Sequence, residues 1–374
     1  MEGTADVARG VAGKLGAAAM PALPLAAPRL ASLTRLRLGL IGWVLLYHLE
    51  LLLRAVGDWP LLGPVLMRGY LGVDGFFLLS GFALWLGYGH RPPRGIGGWA
   101  GFQLRRLAKI WPLHILALLL LVGVVVLAMA AGLRVNDPGR FGLRDFVLQF
   151  FLVHAWETTD RLAWNYPSWA LSAVLAGYLA FPPLALALRR LSRPMLAGLG
   201  LFLAAGLCLL GTREPQIGLN WTWHLGLLRF FLEFSLGLVL ARLATEGALP
   251  AALSWLALAG LPLGLALGND PLTVLGLAGL ILLLWRSEAA RPAPSPPHDL
   301  AWRLGEASFS VYLCWIFVEI GIVLLLRRTE LAEPLRAVLI LAGFALNLAL
   351  GWLAWRWIEV PANRLVLRGA GLQR

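Results

Sequence analysis

LRLGLIGWVLLYHLELLL, residues 36–53, is a continuous apolar run broken only by Arg37, His48 and Glu50. Coiled as a helix it extends about 27 Å at about 1.5 Å per residue, close to the thickness of a bilayer's hydrocarbon core. Strands are excluded, because a membrane barrel is built from segments of about ten residues that alternate apolar and polar. Similar runs recur, and the expected spans are 36–56, 69–88, 110–132, 166–188, 195–211, 225–245, 251–267, 271–286, 304–326 and 334–357. The expected fold class is all-α, a polytopic membrane helix bundle of about ten transmembrane helices. Phe146 to Trp156 is apolar but too short to cross, and is expected at the interface or as a re-entrant piece.

Composition agrees with a lipid environment. Of 374 residues, 59% are hydrophobic and only 14% charged, whereas a soluble domain carries about 25% charged residues. The expected domains are a flexible N-terminal tail over 1–34, one membrane domain over 35–365 and a cytoplasmic tail over 366–374. Pro21, Pro24 and Pro28 break the apolar stretch in that first tail, which a signal peptide would need intact. The larger share of the Lys and Arg falls on one side of the spans, including the cluster Arg91, Arg94, Arg105, Arg106 and Lys109. That bias places both termini in the cytoplasm, and the expected location is the bacterial cell (inner) membrane. Pro292, Pro294, Pro296 and Pro297 mark a linker on the same side.

The formal charge of +12 suits membrane lipids and anionic small molecules, and no extended basic surface suggests a nucleic-acid partner. Cys208 and Cys314 lie far apart inside apolar runs, and the six histidines show no paired-ligand spacing. Neither a disulfide framework nor a metal site is expected.

A charge deep in a span costs at least a few kcal/mol, so ionisable groups there point to function. Arg37 and His48 are eleven residues apart, about 1100° of rotation and about 16 Å of rise, and so share a helix face. Gly39 and Gly42 allow a neighbouring helix to approach. In GYLGVDGFFLLSGFAL, residues 69–84, Asp74 and Ser80 lie in an apolar helix. A carboxylate there needs a cation, for which His48 or Arg37 is available, or else it caps backbone amides. In FQLRRLAKIWPLHIL, residues 102–116, Arg106 and Lys109 stand one turn apart, suited to phosphates or to topology signalling and lipid attraction. Arg229 and Glu233 are spaced to neutralise each other. Ser308, Ser310, Tyr312 and Glu319 make a further polar stripe, and Glu359 is expected to pair with an arginine. By themselves these features fit an enzyme, a transporter or exporter of a small acid or glycolipid, or a scaffold without catalysis; no internal repeat of the transporter kind is visible.

Several blocks resemble the acyltransferase-3 family of integral membrane O-acyltransferases. They are Arg37 with His48, GVDGFFLLSGFAL at 72–84, RRLAKIWPL at 105–113, PSWALSAVLAGYLAFP at 167–182, FLEFSLGLVLARL at 231–243, ASFSVYL at 307–313 and IEVPANR at 358–364. The resemblance implies an enzyme with ten membrane helices that moves an acyl group, often acetyl, from acyl-CoA to a hydroxyl of a carbohydrate, glycolipid or secondary metabolite. It implies His48 as general base and Arg37 as its companion, stabilising an oxyanion or holding a CoA phosphate; Asp74 joins them as a catalytic candidate. Arg105, Arg106 and Lys109 become the donor end, and Ser80, Trp169, Tyr312 and Glu319 candidates for substrate contact. Acyl-CoA is expected as co-substrate, with no permanently bound cofactor. The chain departs from the family's habit at Val174, where a glutamate is usual, at Trp315, where a histidine is usual, and at Lys109, where an arginine is usual. Glu157 and Glu319 are the carboxylates available in compensation.

Overall fold

A computed structural model describes residues 30–132, 137–290 and 299–372. Nearly all of the expected N-terminal tail, and the Pro292–Pro297 linker, lie outside the described residues. Helices α1 (Ala31–Leu53), α2 (Leu62–Met67) and α3 (Leu71–Leu84) come first, the last continuing through a π turn at Trp85–Gly89. Then follow α4 (Gly95–Ala130), α5 (Leu143–Phe150), α6 (Trp169–Leu188), α7 (Arg193–Arg213) and α8 (Gly226–Thr245). The remainder is α9 (Ala251–Leu267), α10 (Asp270–Ala289), α11 (Leu300–Glu306), α12 (Ser308–Leu326), α13 (Glu333–Ala354) and α14 (Val360–Gly369), the last two joined by a π turn at Trp355–Glu359. No strand occurs among the described residues.

Eight of these helices, α1, α3, α4, α6, α7, α10, α12 and α13, are long and apolar enough to cross a membrane. Two other expected spans fall short for different reasons. α9 has only 17 residues. α8 carries Arg229, Glu233 and Arg242, all buried, so charges enclosed by neighbouring helices lower its hydropathy. The expected third span starts earlier than its hydropathy indicates, since the basic segment before Ile110 is already helical and runs into the apolar run without a break. The expected span 304–326 divides at Ala307 into α11 and α12. Of the Phe146–Trp156 segment, only the first residues are helical, in α5.

The outer faces carry large exposed apolar side chains, among them Leu201 (74%) and Leu209 (73%) on α7 and Leu256 (72%) on α9. In water such a surface is an aggregation hazard; against lipid tails it costs nothing. The chain is an integral membrane protein. Inside, α8 packs on α3, α6 and α7, while α1 packs on α3, α11, α12 and α13. The α3–α8 crossing depends on two glycines: a Cβ at Gly81 would collide with the Phe234 carbonyl, and one at Gly237 with the Leu78 carbonyl. Lacking a strong hydrophobic drive between helices in lipid, this close backbone approach supplies the dispersion contact that holds them. α11 is tied to α1 by Arg35, whose guanidinium lies 2.6 Å from Asp299 and, with the Trp302 amide, holds that carboxyl down to about 2. The Glu50 carboxylate, buried at the end of α1, accepts from the amides of Ala55, Val56 and Gly57 at 2.7–3.2 Å and so satisfies the loop that leads to α2.

Candidate active site

The helix ends gathered by this packing enclose a cavity of about 380 Å³, within the usual range for small-molecule sites. α1 contributes Arg37, α3 contributes Val73, Phe76, Phe77 and Ser80, and its π turn contributes Tyr88. α4 supplies Arg106 and Lys109, α6 supplies Val174 and Tyr178, and the α11–α12 junction supplies Glu306, Ser308 and Tyr312. Three cations therefore share one cavity with an otherwise largely apolar wall. Arg106 is held by aromatic faces, its guanidinium 5.1 Å from the Tyr88 ring, 5.3 Å from Phe102 and 5.7 Å from Tyr178. Cation–π contacts fix the plane of a guanidinium while leaving its N–H groups for an anion. Its Nε has no protein partner. Arg37 stands 3.8 Å from Glu306, so the cavity lining also carries an acidic residue.

His48 lies in a second layer. Its ring stacks on Trp315 at 5.4 Å between centroids and 25° between planes, and meets Tyr166 edge-on at 6.1 Å. The residue is half-buried, and neither ring nitrogen has a hydrogen-bond partner among the described residues. A nitrogen in that condition is free to take a proton from an incoming hydroxyl. His48 is not among the cavity-lining residues, but Tyr312 is. Trp315 follows Tyr312 by three residues, about 4.5 Å along α12. The cavity thus approaches the histidine layer to within about one helical turn.

A family model described as an acyltransferase domain matches residues 30–356. The chain belongs to the acyltransferase-3 family. It is 29% identical over 335 residues to Acyltransferase MdmB of Streptomyces mycarofaciens, which covers 80% of this chain and 82% of the relative. No solved structure matches. This acyltransferase is accordingly a membrane-embedded transferase.

Among the residues singled out in the sequence, Arg37, Ser80, Arg106, Lys109 and Tyr312 come together in the cavity of the acyltransferase. Arg105 does not line it; one step along a helix turns a side chain by about 100°, although both Arg106 and Arg105 reach the Tyr88 hydroxyl. Asp74 is fully buried, and its cation is neither His48 nor Arg37 but Arg229, which donates through Nε at 2.8 Å and through a second nitrogen to the other carboxylate oxygen. Nor does Asp74 cap α3. Arg229 also donates to the Trp221 carbonyl at 2.9 Å, lies over the Trp169 ring at 5.5 Å, and has Glu233 as a looser neighbour at 3.8 Å. Trp169 therefore serves this buried ionic group rather than the cavity. Glu319 lies one turn beyond Trp315 and shares the Tyr166 hydroxyl with it. Glu157, in the loop before α6, is taken by His224 at 2.8 Å and the Leu225 amide at 2.6 Å. Glu359 accepts from Ser310 at 2.6 Å. Of the family departures, Val174 lines the cavity and Trp315 is the surface on which His48 rests. Sequence reasoning passed over Glu306, Tyr88 and Tyr166; of these, Tyr88 alone had a local signal, one turn ahead of the basic cluster's first arginine.

Proposed function

We propose that this acyltransferase moves an acyl group, acetyl in the simplest case, from acyl-CoA to a hydroxyl of a carbohydrate, glycolipid or secondary metabolite, with His48 as general base. The observation that carries the reading is the cavity in which Arg37, Arg106 and Lys109 face an apolar bore. Such a site suits a molecule with phosphates at one end and an uncharged thioester arm at the other. The neutral imidazole takes the acceptor's hydroxyl proton as that oxygen attacks the thioester carbonyl. The new ester C–O bond forms, the C–S bond breaks, and the imidazolium returns the proton to the departing thiolate.

Helix spacing supports different roles for the two α1 residues. Their attachment points are about 16 Å apart, and helix side chains lean toward the N-terminus, so Arg37 reaches away from His48. Arg37 belongs with the phosphates, and the Ser80 and Tyr312 hydroxyls, which line the same cavity, are uncharged donors for the thioester carbonyl. The three cations lie toward the end of the bundle at which α1 and α12 begin, which on the charge bias is cytoplasmic, the side where acyl-CoA is made available.

The experiment is transfer of label from [14C]acetyl-CoA in membranes of the producing organism, with the gene deleted and then restored. Restoration is expected to return transfer, and Arg106→Ala and Lys109→Ala are each expected to raise KM for acetyl-CoA about tenfold with a smaller change in kcat, the loss of one charge-assisted contact. Restored membranes that label no better than the deletion sink the acyl-CoA reading. Unchanged KM in both variants sinks the assignment of the donor end.

A further inference from the structure

A general base needs a partner that fixes its ring, and in hydrolytic triads a hydrogen-bonded carboxylate does this. His48 has no such partner: among the described residues no carboxylate, carbonyl or amide hydrogen-bonds either ring nitrogen. What fixes the ring plane is aromatic. Trp315 is 2% exposed and lies nearly parallel to the imidazole at 5.4 Å. Its own orientation is fixed in turn, because the indole N–H donates to the Tyr166 hydroxyl at 2.9 Å. Tyr166 closes the arrangement, since its ring meets His48 edge-on and its hydroxyl also engages Glu319.

We infer that Trp315 is a positioning residue for His48, holding the imidazole plane by stacking and steadied by its bond to Tyr166. The inference rests on His48 being the base, as proposed above. Two effects follow from the stack. The ring presents a constant nitrogen direction to the acceptor while both nitrogens stay free of protein partners, and near-attack geometry of this kind is sensitive to displacements of about 1 Å. The indole face also carries negative quadrupole, so it favours the imidazolium formed at the moment of proton transfer, a service that a carboxylate performs elsewhere. An aliphatic replacement supplies neither, whereas a phenyl face supplies both in weaker form.

The test compares Trp315→Leu, Trp315→Phe and Tyr166→Phe with wild type and His48→Ala, by steady-state transfer from [14C]acetyl-CoA in the same membrane preparation. Trp315→Leu is expected to lower kcat about tenfold with KM for acetyl-CoA within about twofold of wild type, and Trp315→Phe to recover most of the loss. Tyr166→Phe keeps the ring and removes the anchor, and is expected to lower kcat about threefold, again at constant KM. A role in folding alone predicts less active protein at unchanged kcat per folded molecule, and no rescue that depends on an aromatic face. The inference is overturned if Trp315→Leu keeps wild-type kcat, if Phe and Leu are equally impaired, or if the loss appears in KM. Should Trp315→Leu yield no folded protein, wild-type kcat in Tyr166→Phe overturns it instead. Absence of acetyl-CoA-dependent transfer by the wild type sinks the acyl-CoA reading and the stacking role together, whereas wild-type transfer that survives Trp315→Leu sinks the stacking role alone.

Discussion

Replacing His48 by alanine is expected to reduce acyl transfer from acetyl-CoA by about two to four orders of magnitude, the usual contribution of a positioned general base. KM for acetyl-CoA is expected to stay within about twofold of wild type, since the ring lies one layer beyond the cavity that holds Arg37, Arg106 and Lys109. The folded protein is expected to survive, because the imidazole makes no hydrogen bond that its removal would orphan and its neighbours Trp315 and Tyr166 keep each other in place at 2.9 Å. Initial-rate labelling with purified variant in detergent, standardised to folded protein by size-exclusion chromatography, measures this. Equal labelling by wild type and His48→Ala removes the histidine from the mechanism.

The second large effect concerns stability. Arg229 is paired with Asp74 and lies 3.8 Å from Glu233, and all three are buried, with Arg229 also bonded to the Trp221 carbonyl. Substituting Arg229 by methionine leaves two carboxylates in a low-dielectric core, a loss of about 3–5 kcal/mol for breaking a buried pair from one side. Arg229→Met is expected to unfold at markedly lower temperature in detergent micelles, or to fail to accumulate. The triple change Arg229→Met, Asp74→Asn and Glu233→Gln removes the charges together and is expected to recover much of the loss, because the expense lay in the uncompensated charge and not in the missing attraction. A melting curve for Arg229→Met that overlays the wild type contradicts this account of the α3–α8 interface. Because α3 and α8 also carry Phe77 and Phe230, whose rings meet edge-on at 4.8 Å beside the cavity wall, the ionic group braces the site without touching the donor.

How much of this was legible in the sequence follows from what each feature requires. His48 and Arg37 stood out because an ionisable residue in an apolar helix has few bland explanations, and Ser80, Arg106, Lys109 and Tyr312 carried polar chemistry into or beside spans. Their convergence on one cavity was a matter of helix packing, yet the residues themselves were visible. The partner of Asp74 was not: Arg229 lies 155 positions away, and nothing local to either residue selects it over His48. Arg105 and Arg106 are indistinguishable by composition, and the step of about 100° between them is decided only once the packing of α4 on α6 and α12 is known. Trp315 stood out in the sequence only as the residue in place of a usual histidine, since a tryptophan in an apolar run otherwise reads as packing. Element boundaries failed where hydropathy and helicity part company, at the basic first turns of α4 and at the α11–α12 break. α8 inverted the usual rule, because its charges reflect deep enclosure rather than exposure.

The central claim is that acyl-CoA lies in the cavity with its phosphates at the cationic end and its thioester directed at the His48 layer. A cryo-electron microscopy structure of the purified protein with a non-hydrolysable thioether analogue of acetyl-CoA tests it directly. The expected map shows the phosphates in contact with Arg106 and Lys109 and the thioether arm running past Tyr312 toward the stacked Trp315 and His48 rings. An analogue bound outside this cavity, or one whose arm turns away from His48, contradicts it.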